Sequence, residues 1–136
     1  MTITEQDNLD VILPLRIHHE VRAVEYDLTN DMVYWIDGLW TDKLKRKHWK
    51  GSIMKSFANG SKVDKMISSD KEDFVSALDI ALDPYGKQLY WTDVVANSIK
   101  VTSLTTGVTG TVVEVAGSSP RSIALDPKRG YVSIFN

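Results

Sequence analysis

The chain has no cysteine in its 136 residues. That excludes disulfide cross-links, thiolate metal sites and a cysteine nucleophile. It does not fix the compartment, since a large extracellular sheet domain can also lack cysteine. No run of eighteen or more apolar residues occurs, so no segment reads as a membrane-spanning helix. The N-terminal MTITEQDNLD is polar and acidic, unlike the basic and then apolar start of a secretory signal. A glycine-rich phosphate loop after a strand and a Ser-His-Asp order are also missing. The one His/carboxylate cluster is His18-His19-Glu20. On a strand its alternate members, His18 and Glu20, share a side, but two ligands are too few for a catalytic metal. Surface residues are the expectation there. The residues give no support to catalysis, a cofactor or a metal.

The net charge of −2 selects no partner class. Its distribution is uneven, because Gly38 to Lys71 carries nine Lys/Arg against three Asp, a balance of +6, and leaves −8 for the rest. The basic residues are densest in DKLKRKHWKG. A solvated insertion is the expected reading, with contact to a polyanion as the second one. Nucleic acid is not expected.

What the chain does have is a repeat. VEYDLTNDMVYWID (24–37), IALDPYGKQLYWTD (80–93) and IALDPKRGYVSIFN (123–136) align without a gap. Each holds an apolar segment ending in Asp27, Asp83 or Asp126, then a polar turn, then a second segment. The Asp positions lie 56 and 43 residues apart. Pro84 and Gly86 make a turn, and Tyr, Trp and Thr suit a half-buried pleated surface. Further strands follow in NSIKVTSLTTG and GTVVEVA. The first unit has the same order: Arg22–Asp27, Met32–Asp37, Ser52–Phe57, a turn at Asn59-Gly60, and Val63–Ile67. Four strands at a period of about 40 to 50 residues make a propeller blade. Ile99 stands six residues after Asp93 and Ile53 sixteen after Asp37, so about ten residues are inserted after the second strand of the first unit.

The pairing of LDP with YWTD resembles the YWTD β-propellers of the low-density lipoprotein receptor superfamily. SPRSIALDP…GY and VILPLRIHHEVRAVEYD…VYWIDG are similar to the Wnt co-receptor branch, at the opening of a later propeller, the fourth. The resemblance covers about Asp10 to Asn136. It implies an all-β fold: part of a six-bladed propeller, with two four-stranded blades and the start of a third. Residues 1–20 are the lead-in, and blades fall at about 21–68, 76–116 and 120–136. Departures exist. Asp27 precedes Leu28 rather than Pro, Ile36 replaces Thr, and Ser133 to Asn136 replace the whole third motif. The cysteine-rich EGF-like module that accompanies such propellers is absent, and the chain reads as a fragment, poorly stable alone.

Asp37, Tyr34, Trp35, Tyr90, Trp91 and Asp93 are assigned to scaffold, because a feature repeated in each unit suits a joint better than one reaction centre. The same holds for Asp27, Asp83 and Asp126, since Asp at a turn caps local backbone. The resemblance implies an extracellular protein-binding module on a membrane-anchored parent, with secreted ligands of the Wnt or Wnt-antagonist type. It also implies that ligand contacts lie five and seven positions before the LDP-type Asp. Those columns hold Arg22 and Glu20, Leu78 and Ser76, Arg121 and Ser119. The family has acidic and aromatic residues there, so these identities imply an altered ligand preference or no ligand. Trp40 and Trp49 flank the basic insertion and join the candidates, as Trp is enriched at binding hot spots. Asn59-Gly60-Ser61 is a glycosylation sequon in a turn. A nidogen-like matrix-binding propeller and a degenerate, non-binding fragment are the alternatives.

Overall fold

A computed structural model describes residues 20–43, 46–67, 76–115, 117, 119–126 and 128–135, with side chains throughout except at 41–43 and 46–48. His18, His19 and nearly all of the lead-in lie outside the described residues. Ten strands form three antiparallel units. The first unit runs β1 (Glu20–Asp27), β2 (Met32–Lys43), β3 (Arg46–Phe57) and β4 (Asp64–Ile67). β5 (Ala77–Asp83), β6 (Gln88–Asp93), β7 (Ser98–Ser103) and β8 (Thr109–Glu114) form the second. The third is a hairpin of β9 (Ser122–Asp126) and β10 (Tyr131–Phe135). Strand order follows chain order in both four-stranded sheets, as a blade-type meander requires. No helix among the described residues is long and apolar enough to cross a membrane.

The Asp columns explain why each first strand ends where it does. Asp27 Oδ1 accepts the Thr29 and Asn30 N–H groups, and Asp83 Oδ1 accepts those of Tyr85 and Gly86. Asp126 Oδ1 accepts the Arg129 N–H. Each carboxylate thus satisfies amides that the tight turn takes out of the ladder. Asp93 repeats the device one turn later, accepting from Val95 and Ala96 while Oδ2 takes the Lys100 ammonium at 3.0 Å.

The aromatic motif divides between the two faces of its sheet, because successive strand residues point opposite ways. Tyr34 and Ile36 point forward into a core shared with Ile80, Leu89 and Trp91 of the second unit. Val33 and Trp35 point backward and pack with Met54. The second unit does the same: Trp91 faces back to the first unit, while Tyr90 packs forward on a cluster of Ala81, Ile99 and Ile123 that Leu125 and Ile134 of the third unit also cover. Trp91 is almost wholly buried, and its Nε1–H donates to Thr102 Oγ1 at 3.1 Å. Burying a side chain of that size removes on the order of 200 Å² from water, worth about 5 kcal/mol. Thr92 Oγ1 accepts the Asp79 N–H at 3.0 Å, supporting a register shift in β5 between Ala77 and Ile80. In the first unit Ile36 occupies the same column, and the corresponding irregularity places Ala23 at φ 57°.

The insertion differs from expectation. It is not a loop hung on short strands. β2 and β3 extend as one long hairpin whose register pairs Gly38 with Gly51, Trp40 with Trp49 and Lys43 with Arg46. Cross-strand Trp pairing and the continuous backbone ladder outweigh the weak strand preference of its lysines.

Candidate ligand-binding face

The inserted hairpin turns its aromatic pair toward the second unit. The Trp40 and Trp49 rings meet edge to face with centroids 5.4 Å apart. Trp49 lies across the Gly38–Gly51 pair, where no side chain fits. A Cβ on Gly38 would stand 2.3 Å from the Trp49 ring, and one on Gly51 would stand 2.3 Å from the Ala77 carbonyl oxygen. That close approach lets the Trp49 Nε1–H donate to the Ala77 oxygen at 2.6 Å. Trp49 is therefore buried as a tie between units, with only a ring edge left to line the surface, whereas Trp40 is 47% exposed.

Arg22 stands over this pair, its guanidinium 4.8 Å from the Trp49 centroid and 5.8 Å from that of Trp40. Cation–π attraction fixes its direction. Its Nε–H donates to Glu20 at 3.3 Å. The irregularity at Ala23 sits directly after Arg22, which is how a β1 residue comes to address the inserted hairpin. Leu78, from the equivalent position of β5, and Arg121, from the residue before β9, complete the column.

Together Arg22, Trp40, Trp49, Leu78, Ser119 and Arg121 surround one open concavity of about 310 Å³, with Val94 and Val95 on its wall. Six of the eight candidate residues are thus brought together from three units. The other two stand apart from it. Glu20 meets the site through Arg22, and the Ser76 carbonyl is taken by the Val94 N–H at 3.0 Å. Ser119 Oγ donates to Asn97 Oδ1 at 3.1 Å.

Val94 and Val95 were not among the expected contacts. Their signal was available, since they open the loop after β6, the place that holds the long insertion in the first unit. Asp79 was also missed. Its Oδ2 accepts the Ile123 N–H at 2.9 Å, joining the second unit to the third, and its Oδ1 accepts the Ile80 N–H. Nothing in the sequence marks a partner 44 residues away. Asn59 is exposed in the β3–β4 turn, and its Oδ1 accepts the Ser61 N–H at 2.9 Å. No cluster of three or more metal-ligating side chains exists among the described residues.

A family model described as low-density lipoprotein receptor repeat class B matches residues 87–127, which span β6 to β9. Residues 87–127 thus form a repeat of the low-density lipoprotein receptor class B type. It is similar over 97% of its length to low-density lipoprotein receptor-related protein 5, at 34% identity to the human and 35% to the mouse protein. The chain spans 8% of the length of these curated relatives. Among solved structures, that of a nidogen/laminin complex matches with a TM-score of 0.65 and 23% identity, covering 86% of this chain and 40% of the other. The class B repeat and this likeness make the fold a YWTD-type β-propeller in part: two four-stranded blades and the first hairpin of a third.

Proposed function

We propose that the chain is part of an extracellular protein-binding propeller of receptor-related type, which acts by rigid display of loops and carries out no bond chemistry. The observation that carries this reading is the convergence of Arg22, Trp40, Leu78, Ser119 and Arg121 from three units on one concavity. Exposed aromatic and arginine side chains on a rigid sheet scaffold are the composition of a binding hot spot. Similarity to a receptor-related protein supports a parent anchored in the membrane with this face outside, and secreted ligands of the Wnt or Wnt-antagonist type. A matrix-binding role is the second reading, favoured by the likeness to a structure of nidogen in complex with laminin.

The test is an array of secreted Wnt-pathway ligands, their antagonists and laminin, read by biolayer interferometry against the full 136-residue chain. Binding to a ligand or antagonist, weakened at least about tenfold by Trp40→Ala or Arg121→Glu, is the expected result. Binding to laminin alone would move the assignment to the matrix reading. Silence across the array would leave the non-binding fragment as the description.

A further inference from the structure

We infer that the concavity takes a peptide segment that presents a carboxylate beside an apolar side chain; the inference rests on the protein-binding reading and names the chemistry of its ligand. The charges facing the site decide the first half. Two guanidiniums, Arg22 from the first unit and Arg121 from the third, line it, and among the described residues no acidic side chain does. Of the carboxylates close by, Glu20 is paired with Arg22 Nε and Asp79 is held by the Ile80 and Ile123 amides, which leaves Arg121 as the uncompensated cation of the site. Arg121 is exposed and has no ion pair among the described residues. Arg22 is already aimed by its stacking on Trp49, so little side-chain freedom is lost when it meets an anion. An adjoining concavity shares Arg22, Leu78 and Arg121 but carries Asp79 on its wall, so a ligand carboxylate is favoured in the first concavity and disfavoured in the second.

The wall decides the second half. Val95 is 73% exposed and Trp40 47%, and Leu78 and Val94 line the same concavity. Large apolar side chains beside two guanidiniums complement a segment that is acidic at one residue and apolar at the next. A volume of about 310 Å³ is at the small end for a ligand site and suits one or two side chains of an extended peptide. A basic segment meets like charge there and is rejected.

Three fluorescein-labelled peptides, Gly-Gly-X-Ile-Trp-Gly-Gly with X as Asp, Asn or Lys, test this by fluorescence anisotropy with the full chain. The Asp peptide is expected to bind about tenfold tighter than the Asn peptide, with the gap narrowing in high salt, and the Lys peptide weakest. Arg121→Gln is expected to abolish the preference for Asp over Asn, and Arg121→Glu to reverse the order of Asp and Lys. Arg121 is exposed, and circular dichroism verifies that both variants keep the sheet. Equal binding of Asp and Asn peptides, or selectivity unchanged in both Arg121 variants, overturns the inference. So does the absence of binding by all three peptides. The protein-binding reading is judged separately by the array, where it stands or falls whatever the peptides do.

Discussion

The Trp49 indole of one blade hydrogen-bonds the Ala77 carbonyl of the next at 2.6 Å, through a gap kept open by two glycines. A residue that the sequence presents as a ligand contact is therefore also a structural tie. Trp49→Phe leaves a buried carbonyl unpartnered and is expected to cost about 1–3 kcal/mol. Gly51→Ala drives a methyl group against that same carbonyl and is expected to cost a similar amount through overpacking. Urea unfolding followed by circular dichroism measures both, and a Gly51→Ala variant as stable as the parent would refute the tie.

The two motif tryptophans differ in one respect that mutation can isolate. Trp91 Nε1–H reaches Thr102, whereas the buried Trp35 Nε1–H has no partner among the described residues. Trp→Phe removes similar volume at each place, so the hydrogen bond sets the difference. Trp91→Phe is expected to destabilise more than Trp35→Phe by about 1 kcal/mol, read from denaturation midpoints at a common slope.

Stability should fall as pH rises through the titration of Glu25. Burial, and secondarily the Asp79 charge, raise its pKa above the ordinary 4.5. A carboxyl with a raised folded pKa binds more protons folded than unfolded. Its ionisation is therefore a penalty that is absent below pH 4.5, grows between the unfolded and folded values, and is complete above them. Glu25→Gln is expected to be more stable than the parent at pH 7, with the advantage fading as the pH is lowered to about 4. Melting curves across that range check the sign.

Asn59 offers a modification test. Expressed behind a secretory leader in eukaryotic cells, the chain is expected to gain one N-linked glycan. Peptide N-glycosidase should remove it, and Asn59→Gln and Ser61→Ala should prevent it. Mass spectrometry of the secreted chain reads the outcome, and an unmodified Asn59 in properly secreted material would refute it.

Much of the fold was legible because it repeats. Asp at a turn, followed by alternating aromatics, fixes strand, turn and facing within a unit, so the strands of the second unit lie close to where their residues indicate. The site was legible in part. Arg22, Leu78 and Arg121 share a column, and a repeat places one column on one face. Three things were not readable: the course of the insertion, the burial of Trp49 and the bridging role of Asp79. The first looks like a basic loop because its lysines carry little strand preference, and its register depends on two distant glycines. The others depend on which backbone lies alongside, a relation between units that no local pattern encodes.

The opposed facing of Tyr34 and Trp35, repeated in Tyr90 and Trp91, has a further consequence. Each blade presents unlike surfaces fore and aft, so the joint is heterologous and cannot be made by two copies of the same face. Units with such joints add in one rotational sense only. Such stacking closes into a ring only where the turn from blade to blade sums to a full circle, so the dipeptide on one strand sets the direction of growth and the inter-blade angle sets where it ends.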